Sequence, residues 1–185
     1  MTEMTREEAL ELLKQHLHQP NLVKHCLAVE QCMRALARRL GGNEDAWGLA
    51  GLLHDLDYEV TEKSPELHTT EAIKVLAQYN LPAEVLQAIQ AHAGQVHCQS
   101  AMDWAIYTAD PTTGLIIASA LMHPSKKLKS VDLDFLKRRF KEKGFARGAR
   151  REEIEKCANL GLTLDEFLGI CLEAMQAIDQ ELGLA

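Results

Sequence analysis

"EDAWGLAGLLHDLDYE", residues 44–59, decides how the rest of the chain is read. It is an apolar helical stretch interrupted at its end by the adjacent pair His54-Asp55. A carboxylate placed after "LAGLLH" is withdrawn from water, which is costly unless the group is paired or bound to a cation. Gly48 and Gly51 permit close helix packing on the same segment.

Helical periodicity runs through nearly the whole chain and strand-like alternation is nearly absent. Thr5 and Glu8 form a capping box that opens a first helix through about Leu17. Asn21 is expected to cap a second helix, running to Leu40 and stopped by Gly41-Gly42. Leu22, Cys26, Val29, Met33, Leu36 and Leu40 make its apolar stripe, with His25 at the edge. Asn43 caps the third helix, Ser64-Pro65 opens a fourth, and Leu81-Pro82 opens a fifth that ends near Gly94. Asp103 to Ala109 reads as a helix stopped at Asp110-Pro111, because proline disfavours helical geometry in the residue before it. A restart at Thr112 or Thr113 leads to Met122. Ser130 is expected to cap the helix before Gly144, Arg150 to Asn159 reads as helical, and Thr163 with Glu166 boxes a last helix to about Leu182. The fold class is therefore all-α: one domain over residues 1–185, a helical bundle core at 20–125 and a C-terminal helical extension at 126–185.

At 185 residues with 46% hydrophobic and 25% charged side chains, the chain can bury a substantial core, which disfavours disorder. No apolar run approaches the roughly 20 residues of a membrane span. The acidic start "MTEMTREEALELL" lacks the order of a signal peptide. Five scattered cysteines without a Cys-x-x-Cys pair read as reduced thiols, so a cytoplasmic protein is expected. The net charge of −7 argues against general nucleic-acid binding and a duplex partner. It hides an asymmetry, since residues 126–151 hold 11 Lys or Arg against 3 acidic residues, a local +8. Such a run is usually a solvated helix face. The sharper reading is a cationic wall for an anionic substrate, formed by Lys126, Lys127, Arg147, Arg150 and Arg151, with "KGFARGARRE" as a mobile loop that closes on it.

The remaining chemistry lies in an ordered series: His25, His54-Asp55, His68, His92 and Asp110. Taken singly, each histidine is more often a satisfied core or surface residue, and Asp110 a turn residue. Jointly they offer imidazole nitrogen and carboxylate oxygen from five helices or helix ends. That donor set suits Zn, Fe, Mn, Co or Ni. A carboxylate in the middle of such a set can bridge two ions, and Asp55 is the natural candidate. His97 and Cys98 read as loop residues, while His16, His18 and His123 fall outside the pattern.

The motif order over about residues 20–125 resembles the HD superfamily of metal-dependent hydrolases, named for its His-Asp pair. "NLVKHCLAVE" and "GLLHDLDYE" look especially like a bacterial group of predicted hydrolases within it. The resemblance implies that His25, His54, Asp55 and Asp110 hold one divalent ion, and that His68 and His92 share a second with Asp55. It implies a phosphohydrolase acting on a nucleotide or other small phosphate ester through metal-activated water, with Asp55 and Asp57 as catalytic residues. Many members follow the doublet with Ile-Gly-Lys, whose lysine approaches phosphate. Here Leu56, Asp57 and Tyr58 stand instead, so the substrate's charge must be met elsewhere. Alternatives are a di-iron oxygenase on the same ligands and a non-catalytic ligand sensor. A homodimer through the last helix is a further expectation, although its apolar residues suit core packing better.

Overall fold

A computed structural model describes residues 3–185, and it is all-α with no strand among them. α1 (Arg6–His16), α2 (Pro20–Leu40) and α3 (Glu44–Leu53) come first, then the short α4 (Tyr58–Thr61) and α5 (Thr70–Leu76). α6 (Ala83–His92) and the long α7 (Ala101–Met122) follow, and then α8 (Leu133–Lys141), α9 (Arg151–Ile154) and α10 (Leu164–Gln176). The core is built where α2 lies against α3 and both meet α6 and α7, while α10 crosses α2 and α7.

The local signals act at several boundaries as expected. The Thr5 hydroxyl accepts from the Glu8 N–H and the Glu8 carboxylate accepts from the Thr5 N–H. Thr163 and Glu166 repeat the arrangement at α10. Each satisfies donors that a helix start leaves free. Asn43 caps α3 through the Ala46 N–H, and Gly41 ends α2 in the left-handed region at φ 77°.

Other boundaries differ. α2 starts with Pro20 in its first turn and Gln19 before it, so Asn21 lies inside the helix. Proline fits there because its missing N–H had no intrahelical acceptor. Asp132, rather than Ser130, caps α8. The helix expected from Ser64-Pro65 is broken into a 3₁₀ turn at Pro65–Leu67 and then α5. Between them Thr69 takes φ 70°. It is a fully buried β-branched residue whose hydroxyl has no partner. Such a conformation costs on the order of 1–3 kcal/mol, and it sits beside His68.

The largest departure is α7, which passes straight through Asp110-Pro111. Pro111 removes the N–H that the Tyr107 carbonyl would accept, a loss worth about 3 kcal/mol inside a helix. Packing against α2 and α6 outweighs it, for most of α7 from Met102 to Ala120 is buried. The outcome matters for the site. An unbroken helix sets Asp110 and Thr113 one turn apart on one face.

Gly51 explains how close α3 comes to α2. A Cβ on it would lie 2.9 Å from the Glu30 Cα and N and from the Val29 carbonyl, all backbone atoms that cannot swing aside. Gly48 meets the Arg34 guanidinium instead, at 2.7 Å. Glu30 is fully buried and accepts from Arg6 at 2.6 and 2.9 Å and from Arg34 at 3.1 Å, so its charge is compensated.

Candidate metal centre

All six residues of the ordered series are brought together. His25 comes from the second turn of α2, His54-Asp55 from the C-terminal end of α3, and His68 from the turn before Thr69. His92 is the last residue of α6, and Asp110 lies midway along α7. Around one focus, His25 Nε2 lies 2.9 Å from Asp110 Oδ1, 3.2 Å from His54 Nε2 and 3.4 Å from Asp55 Oδ2. Around a second, His68 Nε2 lies 3.2 Å from both Asp55 Oδ1 and His92 Nε2, and His92 Nε2 lies 3.4 Å from the same oxygen. Asp55 thus turns one oxygen to each group.

The other ring nitrogens fix what these Nε2 atoms are. His54 Nδ1 faces the Gly51 carbonyl at 2.7 Å, and His92 Nδ1 faces the Ile89 carbonyl, in each case three residues earlier. A carbonyl only accepts, so both Nδ1 atoms donate. His68 Nδ1 donates to Asp57 Oδ1 at 2.7 Å. The Thr113 hydroxyl donates to the Asp110 carbonyl at 2.9 Å and so accepts from His25 Nδ1 at 3.2 Å. When neutral, imidazoles held this way point four Nε2 lone pairs inward, as a cation needs, with the supporting bonds usual around metal-binding histidine. His25, His54 and Asp110 form one group with ligand atoms close enough for one ion, and His54, Asp55 and His92 another.

Electrostatics lead the same way. Burial disfavours a charged His25, but Asp110 and Asp55 overcome it and raise its pKa to about 9. At His68, burial is likewise outweighed by Asp55 and Asp57, again to about 9. Burial opposes ionisation of Asp55 and Asp110 too, yet the surrounding imidazoles hold both well below the usual carboxylate range. Without a cation the cage therefore takes up protons, and binding a divalent ion must release them. Apparent metal affinity should rise about tenfold per pH unit for each proton displaced, levelling off above about pH 9. Chelator competition at several pH values measures this, and a flat profile would contradict it.

The cage opens into a cavity of about 540 Å³ lined also by Leu22, Tyr58, Thr61, Glu62, Pro65 and Ala93. No lysine or arginine lines it. Tyr58, where the resemblance would place a lysine, stands edge-on to His68 with ring centroids 5.9 Å apart. Asp57 is not in the cavity. Its Oδ1 takes the His68 proton and its Oδ2 accepts from the Ala72 N–H at 2.9 Å, near the start of α5. Both oxygens are engaged in these bonds, and a supporting role for Asp57 at His68 has a direct test. Asp57→Ala should weaken metal binding by about 10–100-fold, mainly at the His68-His92 group, as loss of such support usually does. Titration with a spectroscopically visible ion such as Co(II) reads this out. Equal weakening at both groups would refute the assignment.

None of the five cations expected to meet the substrate lines the cavity. Arg151 donates to the carbonyls of Arg139, Phe140, Glu142, Phe145, Ala146 and Ala149 at 2.6–3.2 Å. Its guanidinium is thus hydrogen-bonded to the main chain in and just before the "KGFARGARRE" segment. Lys126 and Lys127 follow the C-terminus of α7, about 18 Å along its axis from Asp110. Arg150 pairs with Glu152 and Glu153. Arg147 is exposed and outside the cavity. The supports missing from the sequence reading are Thr113 and the Gly51 and Ile89 carbonyls. Both carbonyls belong to the residue three before a histidine, a helical relation the sequence does contain.

Comparison with known proteins extends over the same region. The model of the HD domain family matches residues 22–123. Ribonuclease Y of Acholeplasma laidlawii is 27% identical over 118 residues, covering 64% of this chain and 21% of that protein. Ribonuclease Y of a Sulfurovum species is 32% identical over 90 residues, covering 49% and 18%. Ribonuclease Y 2 of Levilactobacillus brevis is 32% identical over 94 residues, covering 51% and 18%. The chain thus spans about a fifth of the length of these relatives. No solved structure matches. With more than half of the chain matched, and with the His-Asp pair set among further histidines and Asp110, the chain belongs to the HD-domain family.

Proposed function

We propose that the protein is a metal-dependent phosphohydrolase with two divalent ions at its centre. The observation that carries this is the division of the cage by Asp55, one oxygen toward His25, His54 and Asp110 and the other toward His68 and His92. The first group would hold one ion with Asp55, and the second would hold another. Bound there, such ions supply Lewis-acid polarisation of a phosphoryl oxygen and a water acidic enough to attack near neutral pH. The chain's own part is to hold the Nε2 lone pairs in place, through Gly51, Ile89, Asp57 and Thr113. Burial of His54, Asp55 and His92 keeps bulk water from the inner wall, where charge interactions are strongest. The cavity has the volume of a small-molecule site.

The substrate class is a phosphate ester, and the relatives' name adds ribonucleotide esters as the first to try. Assay of protein loaded in turn with Mn, Fe, Co, Ni and Zn against phosphomonoesters, nucleotides and phosphodiesters tests the reading. Hydrolysis that is lost on chelation supports it, and inactivity on the whole panel with two ions bound would overturn it. The absence of a lysine or arginine from the cavity favours one second reading, a di-iron oxygenase on the same ligands. Substrate-dependent O₂ uptake by the anaerobically iron-loaded protein would establish that reading instead.

A further inference from the structure

Between residues 126 and 151, six exposed cations have no acidic partner within ion-pair distance among the described residues: Lys126, Lys127, Arg138, Lys141, Lys143 and Arg147. Their neighbours Lys129, Lys137, Arg139 and Arg150 are all paired, to Asp179, Asp165, Glu142 and Glu152. So many unpaired cations on one segment stand out in a chain of net charge −7. They are also held in place. The six carbonyl bonds to Arg151 fix the loop that carries Lys141, Lys143 and Arg147. The segment contacts α7, the helix that carries Asp110, at both of its ends. It begins beside the C-terminus of α7, where His123 packs on Phe135 with centroids 5.1 Å apart. It returns to α7 through α9.

The cavity itself offers no lysine or arginine, so any substrate charge beyond the reacting phosphoryl group must be met outside it. We infer that the extension is a binding track for a single-stranded nucleic acid, whose repeated phosphates lie on these cations while one end reaches the cavity. A single strand fits because about 540 Å³ accommodates roughly one nucleotide and not a duplex. That the bound strand is also the substrate rests on the proposed function, but the binding does not.

The test uses the full-length chain and a fluorescently labelled 12-nucleotide RNA with a nuclease-resistant phosphorothioate backbone, followed by anisotropy between 50 and 200 mM salt. Six phosphate contacts predict a slope of log affinity against log salt near −4 for a single strand. Combined charge reversal, Arg138→Glu, Lys141→Glu and Lys143→Glu, should lower the affinity more than tenfold and reduce the slope by about 2. None of the three lines the cavity, so the variant should hydrolyse small phosphate esters as the parent does. No binding at 50 mM salt would overturn the inference, as would an affinity unchanged by the reversals. Track-dependent retention on anionic lipid vesicles without RNA binding would overturn it too. Small-ester hydrolysis without RNA binding removes the track and leaves the proposed function standing. RNA binding with the predicted slope, in a protein inactive on small esters, does the reverse.

Discussion

Asp55→Ala should lower kcat for phosphate-ester hydrolysis by at least about 10³-fold, even at saturating metal. The size of the effect follows from its position. Each oxygen lies 3.2–3.4 Å from imidazole nitrogens of a different group, so the substitution withdraws a ligand from both at once. It also removes a carboxylate that lies within 3.4 Å of all four imidazole Nε2 atoms. Asp110→Ala provides the contrast, because Asp110 Oδ1 reaches only His25 and His54, at 2.9 and 3.7 Å. That variant should keep an ion at the His68-His92 group. Activity of Asp55→Ala within tenfold of the parent would mean that Asp55 does not link the two groups.

The second large effect is structural. Gly51→Ala should destabilise the protein by about 1–3 kcal/mol, the usual range for overpacking a tight interface. For a chain of this size that lowers Tm by roughly 2–12 °C. The added methyl would sit 2.9 Å from the Glu30 and Val29 backbone, so α3 must move away from α2. This shift carries a functional consequence, since α2 presents His25 and the Gly51 carbonyl orients His54. Metal affinity should therefore fall along with Tm. Gly48→Ala is the control, because its new methyl meets only the flexible Arg34 side chain. Equal thermal shifts for the two variants, measured by calorimetry, would contradict the argument.

The six-residue series was legible because each polar group interrupts an apolar helix. Burying His54 and Asp55 behind "LAGLLH" needs a compensating partner, and the nearby polar series supplies one. Helix starts with a boxed cap, at Thr5 and Thr163, were legible for the same local reason. The continuity of α7 was not. Local rules stop a helix before Pro111, and only the burial of α7 between α2 and α6 decides otherwise. Thr113 was missed as a consequence, because its reach to His25 depends on that continuity. The role of Arg151 was equally hidden. A charge run looks the same in sequence whether its members face solvent, a ligand or six main-chain carbonyls. Asp57 shows the limit most clearly, since sequence spacing alone does not reveal that its oxygens lie on His68 and the Ala72 N–H.

Anomalous diffraction from crystals of the metal-loaded protein would locate the ions. Two peaks per chain are expected, one among His25, His54 and Asp110 and one between His68 and His92, with an Asp55 oxygen bonded to each. A single peak, or two peaks with Asp55 bonded to only one of them, would contradict this arrangement.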